Sequence, residues 1–377
     1  MAKPIVLIIA SNPLHNGPRM IREIEALKNE YDITAIGGTP PQDSSVKYVN
    51  IKKIYGLDRI LKKLTWVAAK KEYIGKLYYT EFALHRIIKE IKPAFVITHN
   101  PIFLPYLFSF KGRDYKVIYN AHEYHPLEYE DRKGWLETFG KYYYQLYKQF
   151  LPKLDLLINV CESIAQKCLE EFGKPSIVIP NASVLYPSIV PTFAWEGETI
   201  RIIHHGGAIR ERKIEIMIEA IRVLGSRFQL DLMLMPLNEE YFKELKDLAD
   251  KAGNVNFIPP VNFKEIVPFI SKYHVGLFHL CPSNFNYRVA LPNKLFEFIQ
   301  ARLCVVVSPS PEMANIVNKF GVGLVAESFS EESLVSTIRR LDFIQINKFK
   351  EKCQSVAYEV AAEKYYAHLI KSIKKLQ

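Results

Sequence analysis

The chain has 377 residues, of which 49% are hydrophobic and 24% charged, and it carries a net charge of +10 at pH 7. That length is comfortable for two domains and long for one core, and the apolar fraction excludes a disordered chain. The basic balance favours an anionic partner, whether nucleotide, membrane surface or polyanion, without choosing among them.

The five cysteines, Cys161, Cys168, Cys281, Cys304 and Cys353, are scattered and form no CxxC pair. They read as reduced thiols of a cytosolic protein, against a disulfide framework or a zinc site. The opening MAKPIVLIIAS has an apolar run too short for a signal segment. No apolar run approaches about 18 residues, so no transmembrane helix is expected.

Residues 4–10 (PIVLIIA) predict a buried parallel strand, followed by the loop SNPLHNG over 11–17. Residues 18–28 predict a helix, with Met20, Ile21, Ile24 and Leu27 at helical spacing, and residues 31–36 (YDITAI) a second strand. This opening is Rossmann-like but lacks G-x-G-x-x-G, which argues against a dinucleotide site. Residues 51–92 are basic, with Lys and Arg interleaved among Ile, Leu, Trp66 and Tyr. Two readings stand: an amphipathic region lying on anionic lipid, or a core-facing helix with a solvated basic face.

Residues 94–98 (AFVIT) predict a strand ending in His99 and Asn100. Residues 116–119 (KVIY) predict the next, ending in Asn120, Ala121, His122 and Glu123. Both put polar groups at strand C-termini, where open α/β sheets hold their ligands. Residues 156–160 predict a strand, 164–172 a helix, and 176–180 (SIVIP) a strand ending at Asn181. Residues 182–199, with Pro187, Pro191 and Gly197 and no sustained period, predict a linker.

A second Rossmann-like unit follows. Residues 202–205 predict a strand, Gly206 and Gly207 a tight turn, and residues 215–224 a helix. The glycines let backbone approach a ligand closely, and Arg210, Arg212 and Lys213 lie between turn and helix. Strands are predicted at 230–235, 255–258 and 275–279, with helices at 239–252 and 264–271 between them. The second of these strands ends at Pro259, Pro260 and Val261. Residues 310–320 and 321–325 follow, and 357–376 predict a terminal helix.

The stretch NFNYRVALPNKLFEFIQARLCVVVSPSP, residues 284–311, holds the densest chemistry. A polar loop over 284–290 precedes a Pro-Asn turn, a helix from Lys294 to about Arg302, and a buried strand over 304–307. The helix start offers open N–H groups and the positive end of a dipole, which bind phosphate. Lys294 and Glu297, one turn apart, suit the phosphate and the hydroxyls of a nucleotide-sugar; an ordinary surface pair is the other reading of that spacing.

The segment PNKLFEFIQARLCVVVS resembles the donor-binding segment of retaining GT-B glycosyltransferases, especially glycosyltransferase family 4. The resemblance implies α/β architecture of the GT-B type, two Rossmann-like doubly wound domains facing a cleft. It places an acceptor-side domain at 1–185, with helix 357–377 packed back on it, and a donor domain at 198–356. It implies that Glu297 holds ribose, with Asn293, Lys294 and Leu295 beside it, and that Pro260 and Val261 touch the base through backbone groups. A second Glu common in the family, eight positions earlier, is Val289 here.

Residues 120–123 resemble the family's D-x-H-E, so the resemblance gives His122 a place at the donor sugar; Glu123 reads either as an orienting residue or as a polar turn residue. The turn after residue 205 resembles G-R-L-x-x-x-K-G: Arg212 falls at the family's Lys, while Gly207 falls at its Arg, for which Arg210 is the substitute. With Gly206 and Lys213 these form the expected diphosphate site. The first loop, with His15, Asn16 and Arg19, and the strand end at His99 and Asn100 are implied on the acceptor side.

The implied activity is transfer of a sugar, with retention, from a UDP- or GDP-sugar to a glycan or lipid-linked acceptor in surface polysaccharide or glycoconjugate biosynthesis. The family needs no bound metal, no D-x-D stands as a metal site, and no cofactor is expected beyond the nucleotide-sugar substrate. The implied setting is cytoplasmic, with a peripheral contact at an anionic inner membrane face. A GT-B epimerase and a non-catalytic partner subunit are the rival readings, Val289 supporting the latter. Charge alone suggests nucleic acid, and no nucleic-acid motif supports it.

Overall fold

A computed structural model describes residues 3–10, 14–15, 17–50 and 78–377. The chain divides into two compact units. The first comprises Met1–Pro180, Asn284–Asn286 and Tyr365–Gln377; the second comprises Asn181–Ser283 and Tyr287–Lys364.

The first unit is built on β1 (Ile5–Ile9), β2 (Asp32–Gly37), β3 (Lys47–Asn50), β4 (Phe95–Thr98), β5 (Lys116–Asn120), β6 (Leu156–Asn159) and β7 (Ile177–Val178). They form one seven-stranded sheet in the order β3-β2-β1-β4-β5-β6-β7, with every pairing parallel. Val6, Leu7, Ile8 and Ile9 of β1 are fully buried on both faces. That is why a continuous apolar run, not an alternating one, encodes this strand. The order reverses between β1 and β4, so their C-terminal ends frame a switch-point crevice.

The second unit carries β8 (Ile200–Gly207), β9 (Phe228–Met235), β10 (Val255–Phe257), β11 (Val275–Phe278), β12 (Cys304–Val307) and β13 (Gly323–Val325). They form a six-stranded sheet in the order β10-β9-β8-β11-β12-β13, again parallel throughout. Its switch point lies between β8 and β11. The core beneath it joins Ile202, Leu230, Leu232, Leu277 and Val306 to Met217, Ile218 and Ile221 of the Glu215–Leu224 helix.

Two glycines set how close the layers come. A Cβ on Gly276 of β11 would stand 2.3–2.7 Å from the Phe298 ring, so the Asn293–Gln300 helix lies directly on that strand. A Cβ on Gly323 of β13 would meet the Val305 carbonyl oxygen at 1.8 Å.

Several elements differ from expectation. The edge strand β3 and the helices Leu104–Ser109, Lys141–Phe150, Glu331–Arg339 and Phe343–Val356 were not marked by the sequence. The loop expected over 284–290 contains a short helix, Phe285–Arg288. The terminal helix begins at Ala362 and not at 357. Gln300 Nε2 donates to the Ala357 carbonyl at 2.7 Å, and the Ala362 N–H donates to the Ser183 carbonyl at 2.8 Å. These tertiary partners take groups that a continuous helix would use.

The basic stretch 51–92 is described only from residue 78, as the helix Tyr78–Ile91; its remainder lies outside the described residues. No helix among the described residues is long and apolar enough to cross a membrane.

Candidate active site

Two polar clusters stand at the C-terminal ends of the two sheets, one in each unit. The cluster of the second unit starts where β8 ends, at His204, His205, Gly206 and Gly207. Gly206 has φ +133°, a backbone that side-chain-bearing residues rarely adopt. A Cβ there would stand 2.9 Å from Lys294 Nζ and 3.6 Å from an Arg212 guanidinium nitrogen. The turn and the helix start thus bring Gly206, Arg212 and Lys294 together.

Lys294 is only 7% exposed, yet its Nζ has no hydrogen-bond partner among the described residues. It lies 4.2 Å over the Phe278 ring. Burial, and then the charge of Arg212, push its pKa well below the ordinary lysine value, with Glu297 opposing. A buried ammonium without an acceptor is costly. An anion seated between Lys294 and Arg212 would remove that cost.

Glu297, one turn along the same helix, is 3% exposed. Its Oε2 lies 3.3 Å from His205 Nε2, without the alignment of a hydrogen bond. Burial and the nearby Lys294 charge depress His205 to about 3, so it is neutral near pH 7. His204 is held well below its usual value, first by burial and then by Lys294, while its Nδ1 bonds the Leu277 carbonyl at 2.9 Å. These two histidines were missed in the sequence. The legible signal was a pair of titratable residues inside an apolar strand, immediately before Gly-Gly.

Other expected donor residues fall as follows. Arg210 is engaged elsewhere: its guanidinium makes two 2.7 Å hydrogen bonds to Glu244 and lies 4.9 Å over the Tyr241 ring. Lys213 is exposed and closes the Arg210–Arg212 turn with φ 50°. Pro260 and Val261 follow the C-terminal end of β10, the first exposed and the second half-buried. Asn293 opens the Asn293–Gln300 helix and is half-buried. Leu295 has no exposed surface and belongs to the core. Val289, the position of the absent Glu, is buried at 5% exposure.

The cluster of the first unit gathers three elements. His99 follows β4, Asn120 ends β5, His122 lies two residues beyond it, and Glu23 and Arg19 come from the helix Pro18–Leu27. His99 Nε2 lies 2.7 Å from Glu23 Oε2, and His99 Nδ1 lies 2.8 Å from His122 Nε2. Asn120 Nδ2 donates to Glu23 Oε1 at 2.6 Å. Arg19 donates to Asn120 Oδ1, and through its other nitrogen to the Ile179 carbonyl at 3.1 Å.

Glu23 and Asn120 are fully buried, and His122 is half-buried. Burial works to raise the Glu23 pKa. Its close contact and hydrogen bond with His99, then Arg19 and Asn120, outweigh it and hold the carboxyl below its usual value. Burial, then Arg19, His99 and His125, keep His122 well below the imidazole range, so it is neutral.

Of the expected acceptor-side residues, His15 is exposed and its Nδ1 meets Thr39 Oγ1 at 2.7 Å. Asn16 lies outside the described residues. Arg19 is 5% exposed and faces the interior, where it holds Asn120 and the Ile179 carbonyl. Asn100 caps a short turn by accepting from the Ile102 N–H at 3.0 Å. Glu123 is exposed. Glu23 was not singled out in the sequence. Its signal was a carboxylate on the apolar stripe of a helix, beside Met20, Ile24 and Leu27, one turn after Arg19.

Two parallel-sheet α/β units with polar strand ends define a doubly wound protein of the GT-B class. Residues 19–182 match the family described as Glycosyltransferase Family 4. Sucrose-phosphate synthase from Thermosynechococcus elongatus shares the fold at a TM-score of 0.75 and 13% identity, covering 99% of each chain. A structure described as trehalose-6-phosphate from E. coli bound with UDP-2-fluoro glucose matches at 0.66 and 12%, covering 98% of this chain and 99% of that one. The lipopolysaccharide outer core galactosyltransferase WaaB matches at 0.67 and 10%, covering 99% and 100%. No curated protein matches by sequence. The chain therefore has the fold of the GT-B glycosyltransferases, and residues 19–182 of its first unit resemble family 4.

Proposed function

We propose that this protein is a glycosyltransferase that moves a sugar from a UDP- or GDP-sugar to a glycan or lipid-linked acceptor, with retention, in surface polysaccharide or glycoconjugate biosynthesis. The observation that carries the donor class is the buried, unpartnered Lys294 Nζ beside Gly206 and Arg212. A diphosphate is an anion of the right chemistry to meet both cations. Glu297, one helical turn away, accepts hydrogen bonds from ribose hydroxyls. His122 contacts the donor sugar.

In transfer, the glycosidic bond to the diphosphate breaks and negative charge grows on the leaving oxygen. Lys294, Arg212 and the N–H groups opening the Asn293–Gln300 helix oppose that charge in a desolvated setting, where electrostatic stabilisation is strongest. Fixed cations at this place do the work of charge neutralisation, and the proposed reaction draws on no bound metal. A peripheral contact with anionic lipid at the inner membrane face belongs to the same proposal, since a lipid-linked acceptor would sit there.

The test is calorimetric titration with UDP and GDP, on the wild type and on Lys294→Met. Binding of one diphosphate that is lost in the variant supports the reading. No affinity for either nucleotide in the wild type overturns it in favour of a non-catalytic subunit. Turnover of a nucleotide-sugar without acceptor, giving its epimer, would favour an epimerase.

A further inference from the structure

We infer that Glu23 and His99 are positioning residues: through a buried chain of hydrogen bonds they fix the tautomer of His122, leaving His122 Nδ1 as an acceptor for the ligand. The inference rests on the reading above that His122 meets the donor sugar.

The geometry orders the protons. An ionised carboxylate only accepts hydrogen bonds. Glu23 Oε2 lies 2.7 Å from His99 Nε2, so that nitrogen carries the proton and donates. Glu23 Oε1 is already occupied by Asn120 Nδ2 at 2.6 Å. In a neutral His99 the remaining nitrogen, Nδ1, is an acceptor. It stands 2.8 Å from His122 Nε2, which therefore carries the proton of that ring. His122 Nδ1 keeps its lone pair.

Glu23 already has a cationic neighbour in Arg19, reached through Asn120. Arg19 is 5% exposed and Arg22, on the same helix, 6%. A second proton on His99 would bury an excess positive charge among these guanidiniums, which is unfavourable. The other titratable groups facing the chain are His125, beyond β5, and Tyr366 of the Ala362–Lys374 helix, whose hydroxyl donates to the Arg19 carbonyl at 3.3 Å. Neither supplies a negative charge near pH 7.

The chain also fixes the ring in space. Glu23 is gripped at both oxygens, Asn120 is held by Arg19, and Arg19 is tied to the Ile179 carbonyl. Four segments of the fold thus specify one ring orientation. A buried network of this kind specifies geometry more than it adds stability.

The test is the tautomer itself. Long-range proton–nitrogen NMR on protein with nitrogen-15-labelled histidine separates the two forms. Wild type should show His122 protonated at Nε2 and bare at Nδ1. His99→Phe, which keeps a planar ring and removes the acceptor, should give a mixture of tautomers at His122. Glu23→Gln, whose amide no longer forces His99 to donate from Nε2, should do the same and serves where His99→Phe fails to fold. A wild-type His122 protonated at Nδ1 overturns the inference, as does an unchanged tautomer in the folded variants. UDP and GDP titrations on the same samples report on the donor-site reading alone. Their failure would remove the sugar contact and leave the tautomer result standing.

Discussion

Lys294 Nζ stands 2.9 Å from the point that a Cβ on Gly206 would occupy. The close approach ties two distant parts of the second unit, the end of β8 and the start of the Asn293–Gln300 helix, into one cationic pocket. Gly206→Ala introduces two penalties there. A methyl group enters the space of the ammonium, and an L-residue is forced to φ +133°. Backbone strain of this kind costs about 1–3 kcal/mol. We expect denaturant titration to show a loss in that range, together with weaker UDP or GDP binding. Unchanged stability and affinity would show that the turn accommodates a side chain.

Lys294→Met should separate stability from binding. The thioether side chain fills a similar volume without an unpartnered charge, so ligand-free stability should rise by about 1 kcal/mol or more. Diphosphate affinity should fall by about 1.5–3 kcal/mol, roughly 10- to 150-fold. A loss of stability with unchanged affinity would refute the pocket.

The same lysine gives a pH signature. Its folded pKa is depressed below the 10.5 of a free side chain. Between the folded value and 10.5 the unfolded chain binds a proton that the folded chain does not, so the lysine makes stability rise with pH in that window. A bound anion favours the charged form and restores the proton. Calorimetry of UDP or GDP binding in buffers of different ionisation enthalpy, above the folded pKa, should therefore reveal proton uptake that Lys294→Met abolishes. Uptake that persists in the variant would assign it to another group.

The sheet strands were legible where an apolar run sat between turn residues, as in PIVLIIA and in CVVV before Ser-Pro. Strand β3, KYVN, was not: it is four residues long, half-exposed and at a sheet edge, so it carries no buried run. The meeting of Gly206, Arg212 and Lys294 was legible because Gly206 precedes a basic turn and Lys294 lies at a helix start. The engagement of Arg210 by Glu244 and the burial of Leu295 were not, since both depend on tertiary packing. The Glu23–His99 contact joins residues 76 apart in the chain. No local pattern encodes such a pair; only a carboxylate on an apolar helix stripe hinted at one member.

Buried neutral histidines predict acid lability. Burial depresses His125, His274 and His279 to about 4, and His205 to about 3, each from an ordinary 6.5. From pH 6.5 down toward 4 the unfolded chain takes up protons at these rings that the folded chain refuses. Their contribution is intact above pH 6.5 and falls as the pH drops. Each histidine adds a slope of up to about 1.4 kcal/mol per pH unit. Denaturant midpoints measured between pH 7 and pH 4.5 should fall steadily. A flat profile would mean that the rings are reached by water.

Gly276 and Phe298 offer a coupled test of how the Asn293–Gln300 helix is seated. A Cβ at residue 276 would stand 2.3–2.7 Å from the ring, inside van der Waals contact, and Phe298 is fully buried in a packed core. Neither can move without shifting β11 or the helix that carries Lys294 and Glu297. Overpacking of this sort costs about 1–3 kcal/mol, occasionally more. Gly276→Ala should therefore lower both stability and nucleotide affinity, because the helix would be displaced from the β8 turn. Phe298→Leu alone opens a small cavity and is also destabilising. Combined, the two changes should offset each other in part, with a coupling of about 0.5–3 kcal/mol. Strictly additive losses would mean that the helix does not rest on the strand through this ring.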